Sequence, residues 1–115
     1  MGTIHAAMTI QADVNPTDRL DPVLLRLFAD PLRAELVSRL AASELCTCHL
    51  ADDTGALPSA VSNHLRRLRE AGVVETERRG RYTYYRLRPD VLEALAAQFA
   101  DLARVARSAS HQPCR

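Results

Sequence analysis

The chain has 115 residues and a mass of 12.7 kDa, enough for one small core and too little for two. Its 47% hydrophobic and 25% charged content excludes wholesale disorder, and no apolar run approaches the ~20 residues of a membrane span. The net charge of +1 hides an uneven distribution: all fifteen basic residues are Arg, and residues 66–88 hold eight of them against three acids. That local excess of five positive charges points to an anionic partner for one face, unless it is only a solvated helix and hairpin. Three cysteines are too few for a disulfide scaffold, and residues 1–15 lack the basic start and apolar stretch of a secretory signal. A reducing, cytoplasmic setting is expected.

Residues 1–17 are polar and unperiodic and read as a mobile arm. Asp21-Pro22 then offers a capping carboxylate and a proline at the first helical position, followed by Val23, Leu24, Leu27 and Phe28 at helical spacing. Asp30-Pro31 repeats the device and opens a second helix carrying Leu32, Leu36, Val37 and Leu40. Ser43 and Glu44 interrupt it. A short third helix is expected from about Cys46 to Thr54, stopped by Gly55.

Pro58 starts a fourth helix that runs to Ala71 and stops at Gly72. Val61, Leu65 and Leu68 fall on one face of it, with Ser59, Ser62, Asn63, Arg66 and Arg67 behind them. Such a face suits a DNA groove: Asn pairs with an adenine edge, Arg with guanine or phosphate, Ser with either. His64 flanks the apolar stripe and reads as a half-buried, satisfied histidine.

The period then changes. Val73 to Arg78 and Arg81 to Leu87 are rich in Val, Thr and Tyr around Arg79-Gly80, a hairpin whose tip carries Arg78, Arg79 and Arg81. Tyr82, Tyr84 and Tyr85 are expected to pack that hairpin against the body. Pro89-Asp90 opens a last helix to about Ser108, with an apolar stripe through Leu92, Leu95, Phe99 and Leu102.

The expected fold is mainly α with one β-hairpin, a helix-turn-helix followed by a wing over residues 18–108, with 109–115 as a tail. So small a chain cannot cover its first and last apolar helices alone. They are expected to meet a second copy through Leu24, Leu27, Leu95, Phe99 and Leu102. An enzyme is the rival class, but no Gly-rich phosphate loop, paired catalytic carboxylates or Cys-x-x-Cys is present.

Three stretches, Phe28 to Arg33, Glu44-Leu-Cys-Thr-Cys-His-Leu50 and Ala60-Val-Ser-Asn-His-Leu to Gly72, resemble the ArsR/SmtB family. The hairpin Gly80-Arg-Tyr-Thr-Tyr-Tyr-Arg-Leu87 is similar to the family wing. The resemblance implies a dimeric winged-helix repressor that binds operator DNA and releases it on binding a metal or metalloid. Glu-Leu-Cys-x-Cys is similar to the arsenic- and cadmium-sensing branches, which implies Cys46 and Cys48 as inducer ligands.

Three departures from the family pattern bear on the ligand. The arsenic branch has a further cysteine where this chain has Ala51, and this N-terminus has no cysteine. Gln112-Pro-Cys114 is similar to a cadmium/lead branch that uses a cysteine beyond the last helix, which makes Cys114 the candidate third thiolate. The family's zinc site on the last helix lacks its histidines here. Leu57-Pro58 also replaces the usual Ser or Thr cap of the reading helix.

Thiolates select soft ions, so the expected inducer is arsenite or antimonite, with Cd²⁺ or Pb²⁺ as the alternative. A thiol-oxidation switch remains a further alternative, and so do two buried, inert cysteines. With both cysteines on the opening turn of a helix, about 200° apart, capture of one ion would loosen that turn. His49 could serve as a ligand but reads as a solvent-facing helix residue.

Overall fold

The computed structural model describes residues 20–114; the expected arm, 1–17, lies outside them. Five helices and three short strands follow in the order α1 (Pro22–Ala29), α2 (Pro31–Ala42), β1 (Leu45–Cys46), α3 (Thr47–Thr54), α4 (Pro58–Glu70), β2 (Val74–Arg79), β3 (Tyr82–Leu87) and α5 (Pro89–Arg107). The described chain divides into two compact units. The larger is Pro22–Ala94; the other joins Asp21 to residues 95–114.

In the larger unit, Leu36 of α2, Leu50 of α3, Val61, Leu65 and Leu68 of α4, and Val73 are fully buried. These are the apolar positions that helical spacing selects, and their burial fixes α4 by one face. Asp30 caps α2: its Oδ1 accepts from the backbone N–H of Leu32 at 2.9 Å and of Arg33 at 3.1 Å, and Pro31 occupies the first turn. Gly55 ends α3 in the left-handed region at φ 75°, its N–H donating to the Ala51 carbonyl.

Gly72, at φ 81°, ends α4 in a Schellman arrangement. Its N–H donates to the Arg69 carbonyl, and the Val73 N–H donates to the Leu68 carbonyl at 2.9 Å. Val73 and Leu68 are both fully buried, so the end of the reading helix and the entry to the wing are locked together.

The sheet departs from the expected lone hairpin. It has three antiparallel strands in the order β1-β3-β2, with Leu45 opposite Tyr85 and Cys46 opposite Tyr84. Cys46 is therefore not in the opening turn of α3. It is extended (φ −92°, ψ 169°), at the cap position, and α3 starts at Thr47. A strand of two residues gives no period to read, so the sequence pattern assigned Cys46 to the helix that follows.

The hairpin turn is also one residue later than expected. Arg79 pairs with Tyr82, leaving Gly80 and Arg81 as the two loop residues. Gly80 has φ 65° and no non-glycine residue has positive φ, the pattern of a type II′ turn with Gly at its first central position.

In the smaller unit, the Asp21 backbone N–H donates to Gln98 Oε1 at 3.0 Å and Leu95 is buried, while Phe99 is 48% exposed. Leu102 is half-buried, and residues 103–114 are exposed throughout.

Candidate functional site

Two surfaces emerge from this scaffold, one cationic and one sulfur-bearing. The first begins on α4. With Val61, Leu65 and Leu68 buried, Ser59, Ser62, Arg66 and Arg67 stand on the exposed side and Asn63 is half-buried. The Asn63 amide oxygen accepts a hydrogen bond from the Arg66 guanidinium, and Arg66 also lies 3.7 Å from Glu70. The two best base-reading side chains thus orient each other on the face where a groove would lie.

The wing adds cations of two kinds. Arg79 donates to Glu44 at 2.8 Å and Glu77 at 3.0 Å, and its guanidinium lies 5.2 Å from the centre of the Tyr84 ring. Hydrogen bonding to Glu77 and the nearby Glu44 charge hold Arg79 still more firmly protonated than usual. Arg86 bridges Glu44 and Glu75 in the same way across the sheet. Arg78 and Arg81, by contrast, are exposed and make no ion pair among the described residues, as is true of Arg67 and Arg69. Much of the basic block is internally neutralised, and what stays available clusters at the wing tip and along α4.

His64 ties the reading helix to the start of α2. Its Nδ1 lies 2.8 Å from Arg33 Nη1 and its Nε2 lies 4.0 Å from the Asp30 carboxylate. Because Arg33 can only donate, Nδ1 accepts and the proton sits on Nε2. Arg33 also donates to the Leu27 carbonyl at 2.8 Å, so α1, α2 and α4 meet in one polar knot. The Asp30 carboxyl is held below its usual range, first by the Arg33 backbone N–H and then by the positive charges of its neighbours.

The second surface is a groove of about 350 Å³ between the start of α3 and the wing, lined by Cys46, Cys48, His49, Asp52, Tyr82 and Tyr84. Both sulfurs border it, one carried by an extended residue and one by the first turn of α3. Cys46 is buried and Cys48 exposed. His49 is exposed, yet its Nδ1 lies 3.2 Å from Cys46 Sγ, a contact that spacing alone could not reveal. The tyrosines at the groove were expected to serve only in packing; Tyr82 is instead 50% exposed.

Cys114 is a free, exposed thiol in the smaller unit. Among the described residues, no group of three or more His, Cys, Asp or Glu side chains is assembled to hold a metal ion. The groove itself provides two thiols and an imidazole.

A model of bacterial regulatory proteins of the arsR family matches residues 30–76, from the cap of α2 into β2. The arsenical resistance operon repressor of Escherichia coli is 35% identical over 79 residues, which cover 68% of this chain and 67% of that protein. The chain belongs to the ArsR family. It is also 38% identical to the arsenic resistance transcriptional regulator ArsR1 of Pseudomonas putida over 71 residues, spanning little more than half (56%) of that relative's length.

A crystal structure of a possible transcriptional regulator for arsenical resistance matches with TM-score 0.61 and 39% identity, over 76% of this chain and 96% of that one. The winged helix-turn-helix is thereby the shared ArsR architecture, and these relatives are described as regulators rather than enzymes. No helix among the described residues is long and apolar enough to cross a membrane.

Proposed function

We propose that this ArsR-family chain is a transcriptional repressor that binds operator DNA as a homodimer and releases it when a trivalent arsenic or antimony species bonds to Cys46 and Cys48. Ser59, Ser62, Asn63, Arg66 and Arg67 read the groove, and Arg78, Arg79 and Arg81 hold phosphates. The dimer forms through Leu24 and Leu27 of α1 and Leu95, Phe99 and Leu102 of α5, and a two-fold protein matches a palindromic operator.

The observation that carries this reading is the place of the two sulfurs. Cys46 is hydrogen-bonded through its strand to β3 of the wing, and Cys48 sits in the first turn of α3, which packs on the reading helix. A ligand joining both sulfurs therefore ties the wing to the helix-turn-helix and fixes a spacing that DNA binding must also respect. His49, 3.2 Å from Cys46 Sγ, is placed to take the thiol proton as the thiolate forms.

Arsenite bonds to three sulfurs where it can, and Cys114 supplies the third thiolate. Cd²⁺ or Pb²⁺ sensing is the alternative, favoured by the nitrogen donor of His49 beside the thiols. The discriminating experiment is release of operator DNA titrated in parallel with arsenite, antimonite, Cd²⁺, Pb²⁺ and Zn²⁺. Release by arsenite and antimonite at the lowest concentrations supports the reading. Release by Cd²⁺ or Pb²⁺ alone replaces it with the alternative, and release by peroxide with no metal response replaces it with thiol oxidation.

A further inference from the structure

Trivalent arsenic makes three bonds. The groove brings two sulfurs to it, and the wall completing that groove on the wing side is aromatic, built from Tyr82 and Tyr84. Arg79 stands over the Tyr84 ring at 5.2 Å. Tyr82 lies at the first position of β3 beside the turn and is 50% exposed. An exposed aromatic ring bordering a two-thiol groove is an unused apolar contact, and what it fits is a carbon substituent on the ligand.

From this we infer that the groove favours a trivalent organoarsenical, one carbon group on arsenic, over inorganic arsenite. The inference rests on the arsenical reading of Cys46 and Cys48 and names the ligand class that their surroundings select. The step is a ligand exchange without redox change. Two S–H groups lose their protons, two As–S bonds form, two As–OH bonds break, and two waters leave, while the arsenic–carbon bond is untouched. The product, a dithiolate with one organic substituent, is fully bonded with the two sulfurs the groove offers. It needs no third thiolate, and its substituent lies against Tyr82. Inorganic arsenite on the same two sulfurs keeps a hydroxyl, which the ring does nothing to hold.

The test is direct binding of phenylarsonous acid and arsenite to the full chain by equilibrium dialysis with arsenic quantification, each referred to a simple dithiol. The protein should prefer the phenyl compound over arsenite by a margin at least about tenfold greater than the dithiol does, from the area the ring buries. Tyr82→Ala should erase that extra margin by weakening the phenyl compound and sparing arsenite, and Tyr82→Phe should keep it. Cys114→Ser should leave the phenyl titration unchanged.

Equal loss for both compounds in Tyr82→Ala, or a selectivity no greater than that of the free dithiol, overturns the inference while leaving Cys46 and Cys48 as the arsenic site. Unaltered binding of both compounds by the Cys46→Ser, Cys48→Ser double variant overturns the site reading itself. Circular dichroism of each tyrosine variant confirms that the exposed substitutions leave the fold in place.

Discussion

Individual side chains in this molecule separate into those that hold the frame and those that face outward, and the difference is testable one residue at a time. Asn63 and Arg66 face outward while bonded to each other. If they meet base edges, alanine at either costs about 1–3 kcal/mol on the operator and much less on random DNA, read by competition binding. Asp30 belongs to the frame. Its carboxyl titrates below the ordinary 3.8, so the charged cap stabilises the fold fully above that value, and the contribution is lost as pH falls through the lowered one. The stability gap between wild type and Asp30→Ala, measured by thermal melting, should therefore stay constant near neutrality and narrow in acid below 3.8. The sequence made Asn63, Arg66 and the Asp30 cap readable because each depends on spacing within a few residues. It did not reveal the contact of His49 with Cys46 Sγ, because that contact depends on Cys46 leaving the helix.

At the level of elements, local chemistry specifies nearly every boundary. Asp-Pro pairs open α1 and α2, Gly55 and Gly72 close α3 and α4, and Gly80 turns the wing. The exception is β1, two residues long, whose only reason to be a strand is the partner edge of β3 some forty residues away. A non-local pairing of that kind leaves no period in the sequence, and it moved Cys46 from a helical turn to the wing root. The strain argument from two cysteines 200° apart on one helix is thus replaced by a bridge between strand and helix.

The wing's charges were similarly half-legible. Arg78, Arg79 and Arg81 are all at the tip, but Glu44 and Glu77 already neutralise Arg79, and Glu44 comes from outside the hairpin. Arg78→Ala and Arg81→Ala should each weaken binding to any DNA and lower the log–log salt slope by about 0.9, whereas Arg79→Ala should change the slope less. An unaltered slope for Arg78→Ala and Arg81→Ala would mean that the tip faces solvent in the complex.

On the scale of the whole molecule, the winged-helix order of elements followed from the sequence, whereas association and switching depend on surfaces that only assembly completes. Phe99 is half-exposed in the isolated chain, so Phe99→Glu leaves the fold intact and places a charge where a second copy would have to bury it. A folded monomer with no operator affinity, seen by sedimentation and gel shift, is the expected result; an unchanged dimer would remove Phe99 from the interface. Switching is a coupling between the sulfur groove and the DNA face, typically worth about 1–3 kcal/mol and reciprocal, so operator DNA should weaken arsenical binding by the factor with which the arsenical weakens DNA binding. The most direct test is an arsenite titration of operator release in wild type and in the Cys46→Ser, Cys48→Ser double variant. The account predicts near-normal operator affinity for the double variant without arsenite and no release with it. Release of the double variant at the wild-type dose would contradict the account and place the inducer site elsewhere in the chain.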